Sequence, residues 1–126
     1  MTDSCTSVLE IVALLLRDRG ADQEIILPLY TFSSTAAAFA RAGFKIIFAE
    51  INPLTMMIDI ADAKSKVTSN TVGIVIVQYG GFGADTKSFK NKGSICHSPA
   101  RLPPSKELRY IGSHIDHVDV LICSYL

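Results

Sequence analysis

The chain has 126 residues, no formal net charge, 48% apolar and 19% charged side chains. That suffices for one domain with a real core and marks a globular rather than a disordered protein. Zero net charge leaves no global field to draw in nucleic acid or an anionic membrane. Cys5, Cys96 and Cys123 are odd in number and include no close pair, which argues against a disulfide framework and suits a reducing, cytoplasmic compartment. The apolar run over residues 11–16 is too short to span a bilayer and has the wrong flanks for a signal peptide.

Ser7-x-x-Glu10 has the form of a capping box, and Leu9, Val12, Ala13 and Leu16 then recur at helical spacing until Gly20 stops the helix. A helix that opens directly after Ser4-Cys5-Thr6 turns free N–H groups and hydroxyls toward an anion. An ordinary capped helix has the same pattern. Glu24-Ile25-Ile26-Leu27 predicts a short buried strand, ended by Pro28, which has no N–H for a ladder.

The stretch Pro28-Leu29-Tyr30-Thr31-Phe32-Ser33-Ser34-Thr35 predicts a strand-to-helix loop. Open α/β sheets hold ligands on such loops, at the carboxyl ends of their strands. Two aromatics stand beside four hydroxyl residues here. Phe32 offers a flat face to a planar ring, and the hydroxyls offer hydrogen bonds and an N-cap for the next helix.

A helix of small side chains follows over residues 33–41, closed by Gly43, and then a β-branched and aromatic strand over residues 44–49. Asn52-Pro53 is a turn, and Asp59 caps a short helix over residues 60–67. Residues 71–77 are apolar on both faces, as a central parallel strand is. They lead into Gln78-Tyr79-Gly80-Gly81-Phe82-Gly83, which has neither the G-x-G-x-x-G spacing nor the Gly-Lys-Ser/Thr of a P-loop and reads as a tight turn. Strands alternating with helices at these spacings predict an α/β fold, a parallel sheet covered on both sides.

Beyond Lys92 the pattern changes. His97-Ser98-Pro99 and Leu102-Pro103-Pro104-Ser105 are expected to break any strand or helix that could follow, order is expected to return at Arg109-Tyr110-Ile111-Gly112-Ser113, and a last apolar run over residues 118–122 is strand-like. Lys87, Lys90 and Lys92 read as a solvated helix face, not a nucleic-acid patch. His114-x-x-His117 with Asp116, Asp119 and Cys96 matches no standard zinc spacing, so no metal site is expected.

Four blocks then carry a resemblance. They are Ser4-Cys5-Thr6-Ser7-Val8-Leu9-Glu10, Pro28 through Thr35, Asn52-Pro53-Leu54-Thr55-Met56-Met57-Ile58-Asp59, and Gln78-Tyr79-Gly80-Gly81. In order and spacing they resemble the sugar aminotransferases of the DegT/DnrJ/EryC1/StrS family, which use pyridoxal 5′-phosphate. The resemblance implies part of the three-layer α/β/α large domain of fold-type-I enzymes, with a mainly parallel sheet. It implies a nucleotide-sugar substrate, an amino-acid donor (glutamate), a homodimer at full length, and no membrane or nucleic-acid partner. By position, Thr6 and Ser7 match the pair that binds the cofactor phosphate, and Phe32 matches the aromatic that stacks on its pyridine ring. Tyr79 and its glycines match a loop near the cofactor.

Two departures accompany the matches. Counting back from Arg109-Tyr110-Ile111-Gly112, the family's Asp that pairs with the pyridinium nitrogen falls on His97, which cannot supply a negative charge, and Pro99 is expected to break its strand. No lysine follows Lys106 to serve as the Schiff-base amine, so no catalytic residue is assigned and this chain by itself is expected to be inactive. The expected layout is residues 1–92 as the early part of the cofactor-binding domain, with residues 93–126 a divergent or disturbed continuation. Two alternatives stand beside this: a non-catalytic remnant that binds cofactor or a full-length subunit, and an unrelated small α/β nucleotide-binding domain.

Overall fold

A computed structural model describes residues 5–17, 22–79, 94–98 and 120–123; Cys5 and the last two segments are described by their backbone alone. Gly20, the loop at 80–83, Lys87, Lys90, Lys92, Pro103, Pro104, the 109–113 block and the His114/His117 cluster lie outside the described residues.

Among the described residues eight elements follow one another: α1 (Cys5–Leu16), β1 (Glu24–Pro28), α2 (Ser33–Arg41), β2 (Lys45–Ala49), α3 (Ile60–Ser65), β3 (Thr71–Val77), β4 (Ser94–Ser98) and β5 (Val120–Cys123). The five strands form one sheet in the order β2-β1-β3-β4-β5, and every pairing is parallel. Parallel strands need crossovers, and covered sheets of this kind read as near-continuous apolar runs. That is why β1 and β3 are buried along their whole length but for Val72.

Side chains alternate across these strands. Ile25, Leu27, Val75 and Val77 pack with Leu9, Val12 and Ala13 of α1 and with Ala38 and Phe39 of α2. Ile26, Ile74 and Ile76 point the other way and pack with Ala49, Ile58 and Ala63. Helices therefore lie on both faces of the sheet, α1 and α2 on one and α3 on the other, as expected from the alternation of elements.

Gly43 closes α2 through two main-chain bonds. Its N–H reaches the Ala40 carbonyl (2.9 Å), and the Phe44 N–H reaches the Phe39 carbonyl (3.1 Å). This Schellman arrangement needs a left-handed residue, and Gly43 has φ of 89°. Asp59 caps α3 as expected, its Oδ1 accepting from the Asp62 N–H at 3.0 Å.

Three local expectations are corrected. First, α1 begins at Cys5, so Ser7 lies inside the first turn; Glu10 does not close a capping box but pairs with Arg41 of α2. Second, the residue at the N-cap of α2 is Phe32, whose side chain makes no cap hydrogen bond; Thr31 instead donates its hydroxyl to that of Thr35 at 3.2 Å. Third, Ser94–Ser98 is a strand despite the Pro that follows. It ends at Ser98, and β3 offers it an edge in the register Ile74↔Ser94 to Val77↔His97. The last apolar run does form β5, at Val120–Cys123.

Candidate functional site

In this strand order the chain leaves β1 toward β2 on one side and returns to β3 on the other. The carboxyl ends of β1 and β3 therefore flank a topological switch point, where open α/β sheets bind ligands. Two loops rise there, residues 29–32 after β1 and residues 78–79 after β3.

The loop after β1 stays anchored to β2, because the Leu29 N–H donates to the Ala49 carbonyl at 2.9 Å. Beyond that point Leu29, Tyr30 and Phe32 are all exposed, Phe32 to 60%. Phe32 has extended backbone (φ −66°, ψ 140°) and its carbonyl accepts the Thr35 N–H at 2.9 Å. Its ring thus stands at the mouth of α2 with an open face.

The N-terminus of α1 points to the same end of the sheet. Gln23, just before β1, donates its side-chain amide to the Leu16 carbonyl at 3.4 Å, which sets the last residue of α1 beside the start of β1. Twelve helical residues span about 18 Å, close to the roughly 17 Å of a five-residue strand. Thr6 and Ser7, in the first turn of α1, are therefore carried to the carboxyl end of the strands. In that turn the main-chain N–H groups have no acceptor within the helix itself, and two hydroxyls stand beside them.

Tyr79 ties the two loops together. Its hydroxyl donates to the Tyr30 carbonyl at 3.1 Å, and the two rings lie 5.2 Å apart at 45°. The Tyr79 ring is half-buried against the cluster shared by α1, α2 and the sheet. Burial, and then the nearby Tyr30, raise its pKa above the ordinary phenol value, so it stays a neutral donor. The sequence placed Tyr79 in a ligand-facing loop but not its bond to Tyr30, which spans 49 positions; aromatics at the ends of two buried strands were the only hint.

The opposite, amino end of the sheet holds a separate polar group. Lys45 Nζ donates to Glu24 Oε1 at 2.8 Å and the Thr68 hydroxyl to Glu24 Oε2 at 2.6 Å. These bonds lower the Glu24 pKa, chiefly through Lys45. The group lies a strand length from Phe32 and serves the fold. Among the described residues no cluster of His, Cys, Asp or Glu is arranged to hold a metal ion, and no helix is long and apolar enough to cross a membrane.

The residues at the carboxyl end suit one end of a phosphorylated aromatic cofactor: N–H groups and hydroxyls for the phosphate, and an open aromatic face for the ring. The backbone of β4 sets His97 in register with Val77 and with Ile122 of β5.

Known proteins agree with this fold. The sequence model of the DegT/DnrJ/EryC1/StrS aminotransferase family matches residues 1–96. The chain is 38% identical over 77 residues to the pleiotropic regulatory protein of Geobacillus stearothermophilus, covering 61% of this chain and 21% of that one. It is 36% identical over 83 residues to the spore coat polysaccharide biosynthesis protein SpsC of Bacillus subtilis, covering 66% and 21%. Among solved structures, NtdA of Bacillus subtilis with bound cofactor PMP, pyridoxamine phosphate, superposes with a TM-score of 0.66 at 28% identity, over 75% of this chain and 23% of that one. The chain thus spans about a fifth of the length of the curated relatives it matches. The family's aminotransferases depend on pyridoxal 5′-phosphate, and its fold is the three-layer α/β/α arrangement found here. By sequence and by fold, this chain belongs to the DegT/DnrJ/EryC1/StrS aminotransferase family.

Proposed function

We propose that this chain is the early part of the cofactor-binding domain of a cytoplasmic nucleotide-sugar aminotransferase, with the cofactor phosphate held at Thr6 and Ser7 and its ring against Phe32. Residues 1–92 form that part and residues 93–126 a divergent continuation of it. What supports the assignment is that the exposed Phe32 follows β1 at the switch point, and that α1, by its length and its bond from Gln23 to Leu16, runs with its N-terminus toward the same end of the sheet. When bound, pyridoxal phosphate supplies the electron sink for moving an amino group from an amino acid, glutamate, to a sugar carbonyl. The substrate class inferred is a 4-keto-6-deoxy sugar nucleotide. Within it, the phrasing of the four sequence blocks suggests the dTDP-sugar used for enterobacterial common antigen, and the resemblance suggests a homodimer for the full-length enzyme.

This chain's own residues supply binding and orientation. The first turn of α1 offers N–H groups to a phosphate, and Phe32 offers a stacking face worth about 0.5–1.5 kcal/mol beyond its buried area. With His97 at the position that resembles the pyridinium partner, the 126 residues by themselves do not catalyse transamination. That feature favours a second reading, a non-catalytic remnant that binds the cofactor or pairs with a full-length subunit. Family membership removes the reason for an unrelated nucleotide-binding domain.

The test is calorimetric titration of the 126-residue chain with pyridoxamine 5′-phosphate, which cannot form adventitious imines with surface lysines. Binding that inorganic phosphate displaces, and that Thr6→Val with Ser7→Ala abolishes, supports the assignment. Absence of binding, or binding indifferent to these substitutions, overturns it. A coupled assay with glutamate tests the inactivity argued from His97: no turnover of a 4-keto sugar nucleotide by the chain alone is expected, and turnover overturns both that inactivity and the remnant reading.

A further inference from the structure

We infer that Tyr79 is a positioning residue that holds the Phe32 loop in place for the cofactor ring, acting through the main-chain carbonyl of Tyr30; this rests on the proposed function above. The loop after β1 has few other restraints. Past the Leu29–Ala49 bond, Leu29, Tyr30 and Phe32 are exposed, and on the far side the chain is held where the Thr31 hydroxyl meets that of Thr35 and the Phe32 carbonyl accepts the Thr35 N–H. Tyr30 lies between. The Tyr79 hydroxyl pins the middle of that span at 3.1 Å, and its ring supports the Tyr30 ring at 5.2 Å.

The anchor itself is firm. Tyr79 stands two residues beyond the end of β3, a buried strand paired on both sides, and its ring packs into the core shared with α1 and α2. Gln78, between them, is also buried. A strand paired on both sides thus fixes the height of the loop from across the switch point. Phe32 follows Tyr30 by two residues, so losing the pin lets the Phe32 ring leave the plane that stacking requires. The acceptor is main-chain, so the Tyr30 hydroxyl is dispensable while the Tyr79 hydroxyl is not.

The experiment measures pyridoxamine 5′-phosphate affinity, and the circular dichroism induced in its ring absorption band, for the full chain and for Tyr79→Phe, Tyr30→Phe, Phe32→Leu and the Tyr79→Phe/Phe32→Leu pair. Far-ultraviolet dichroism checks that each variant folds alike. Tyr79→Phe keeps the ring and removes one neutral hydrogen bond, and is expected to weaken binding about fivefold and to reduce the induced signal. Tyr30→Phe is expected to leave both unchanged. In the Phe32→Leu background, Tyr79→Phe is expected to add little, because the two act as a unit. A wild-type affinity and signal for Tyr79→Phe, or additive losses in the pair, overturn the positioning role while leaving the cofactor assignment intact. No binding by the unaltered chain overturns both.

Discussion

Phe39 and Phe44 meet edge to face across the end of α2, their centroids 5.9 Å apart and their planes at 75°. They are the third-from-last helical residue and the second residue past the cap, the pair that accompanies a Schellman closure. The turn between them depends on Gly43, whose φ is 89° and where an added Cβ would run into Nη1 of Arg17. The Arg17 guanidinium in turn sits 5.9 Å from the centre of the Phe44 ring.

Gly43→Ala is therefore expected to destabilise the end of α2 by about 1–2 kcal/mol from backbone strain, before the displacement of Arg17 is counted. Hydrogen exchange at the Phe44 amide should quicken by about tenfold or more. Unchanged exchange would mean that the turn can be remade without a left-handed residue.

Two leucines of α1 should behave oppositely. Leu9 is 1% exposed and Leu15 is 79% exposed on the same helix. Leu9→Ala is expected to cost about 2–5 kcal/mol through the cavity it leaves between α1 and the sheet. Leu15→Lys is expected to change stability by less than about 0.5 kcal/mol. Urea midpoints of the two variants, measured side by side, test the orientation of α1 directly.

Asp59→Ala removes the side-chain acceptor at the start of α3. A lost N-cap costs about 1 kcal/mol, and this helix has only six residues over which to absorb it. Faster exchange of the Asp62 amide, with β1 and β3 amides unaffected, is the expected result.

Glu24 makes stability depend on pH. Its carboxylate is held by Lys45 and Thr68, so its folded pKa lies below the unfolded value of about 4.5. Its contribution is fully present above that value and is lost as pH falls through the lower folded pKa. Lys45 mirrors it: bonding to Glu24 raises its pKa above about 10.5, so its contribution is present below that value and is lost as pH rises through the higher folded one. Glu24→Gln is expected to lower the melting temperature at neutral pH, and the gap to the unaltered chain should close on acidification below about 4.5. A gap that persists unchanged in acid would place the role of Glu24 in packing rather than charge.

Much of this protein was determined by short-range features of its sequence. The bounds of α2 and β3 follow from a run of small side chains ended by Gly43 and from an unbroken apolar run, and Asp59 caps the helix that it directly precedes. Such signals act over one or two turns, and no distant partner overrides them. Thr6, Ser7 and Phe32 are proposed for the phosphate and the ring from their order along the chain, by resemblance to the family. Only tertiary structure decided who meets whom. Glu10 turns from its own helix to Arg41, Phe32 displaces the hydroxyls from the N-cap of α2, and Ser94–Ser98 becomes a strand because β3 presents it an edge. The strand order that brings the loops after β1 and β3 together, and with it the bond from Tyr79 to Tyr30, is a long-range choice. It is settled by which arrangement buries both faces of the sheet, a property of the assembled layers that no local window of sequence contains.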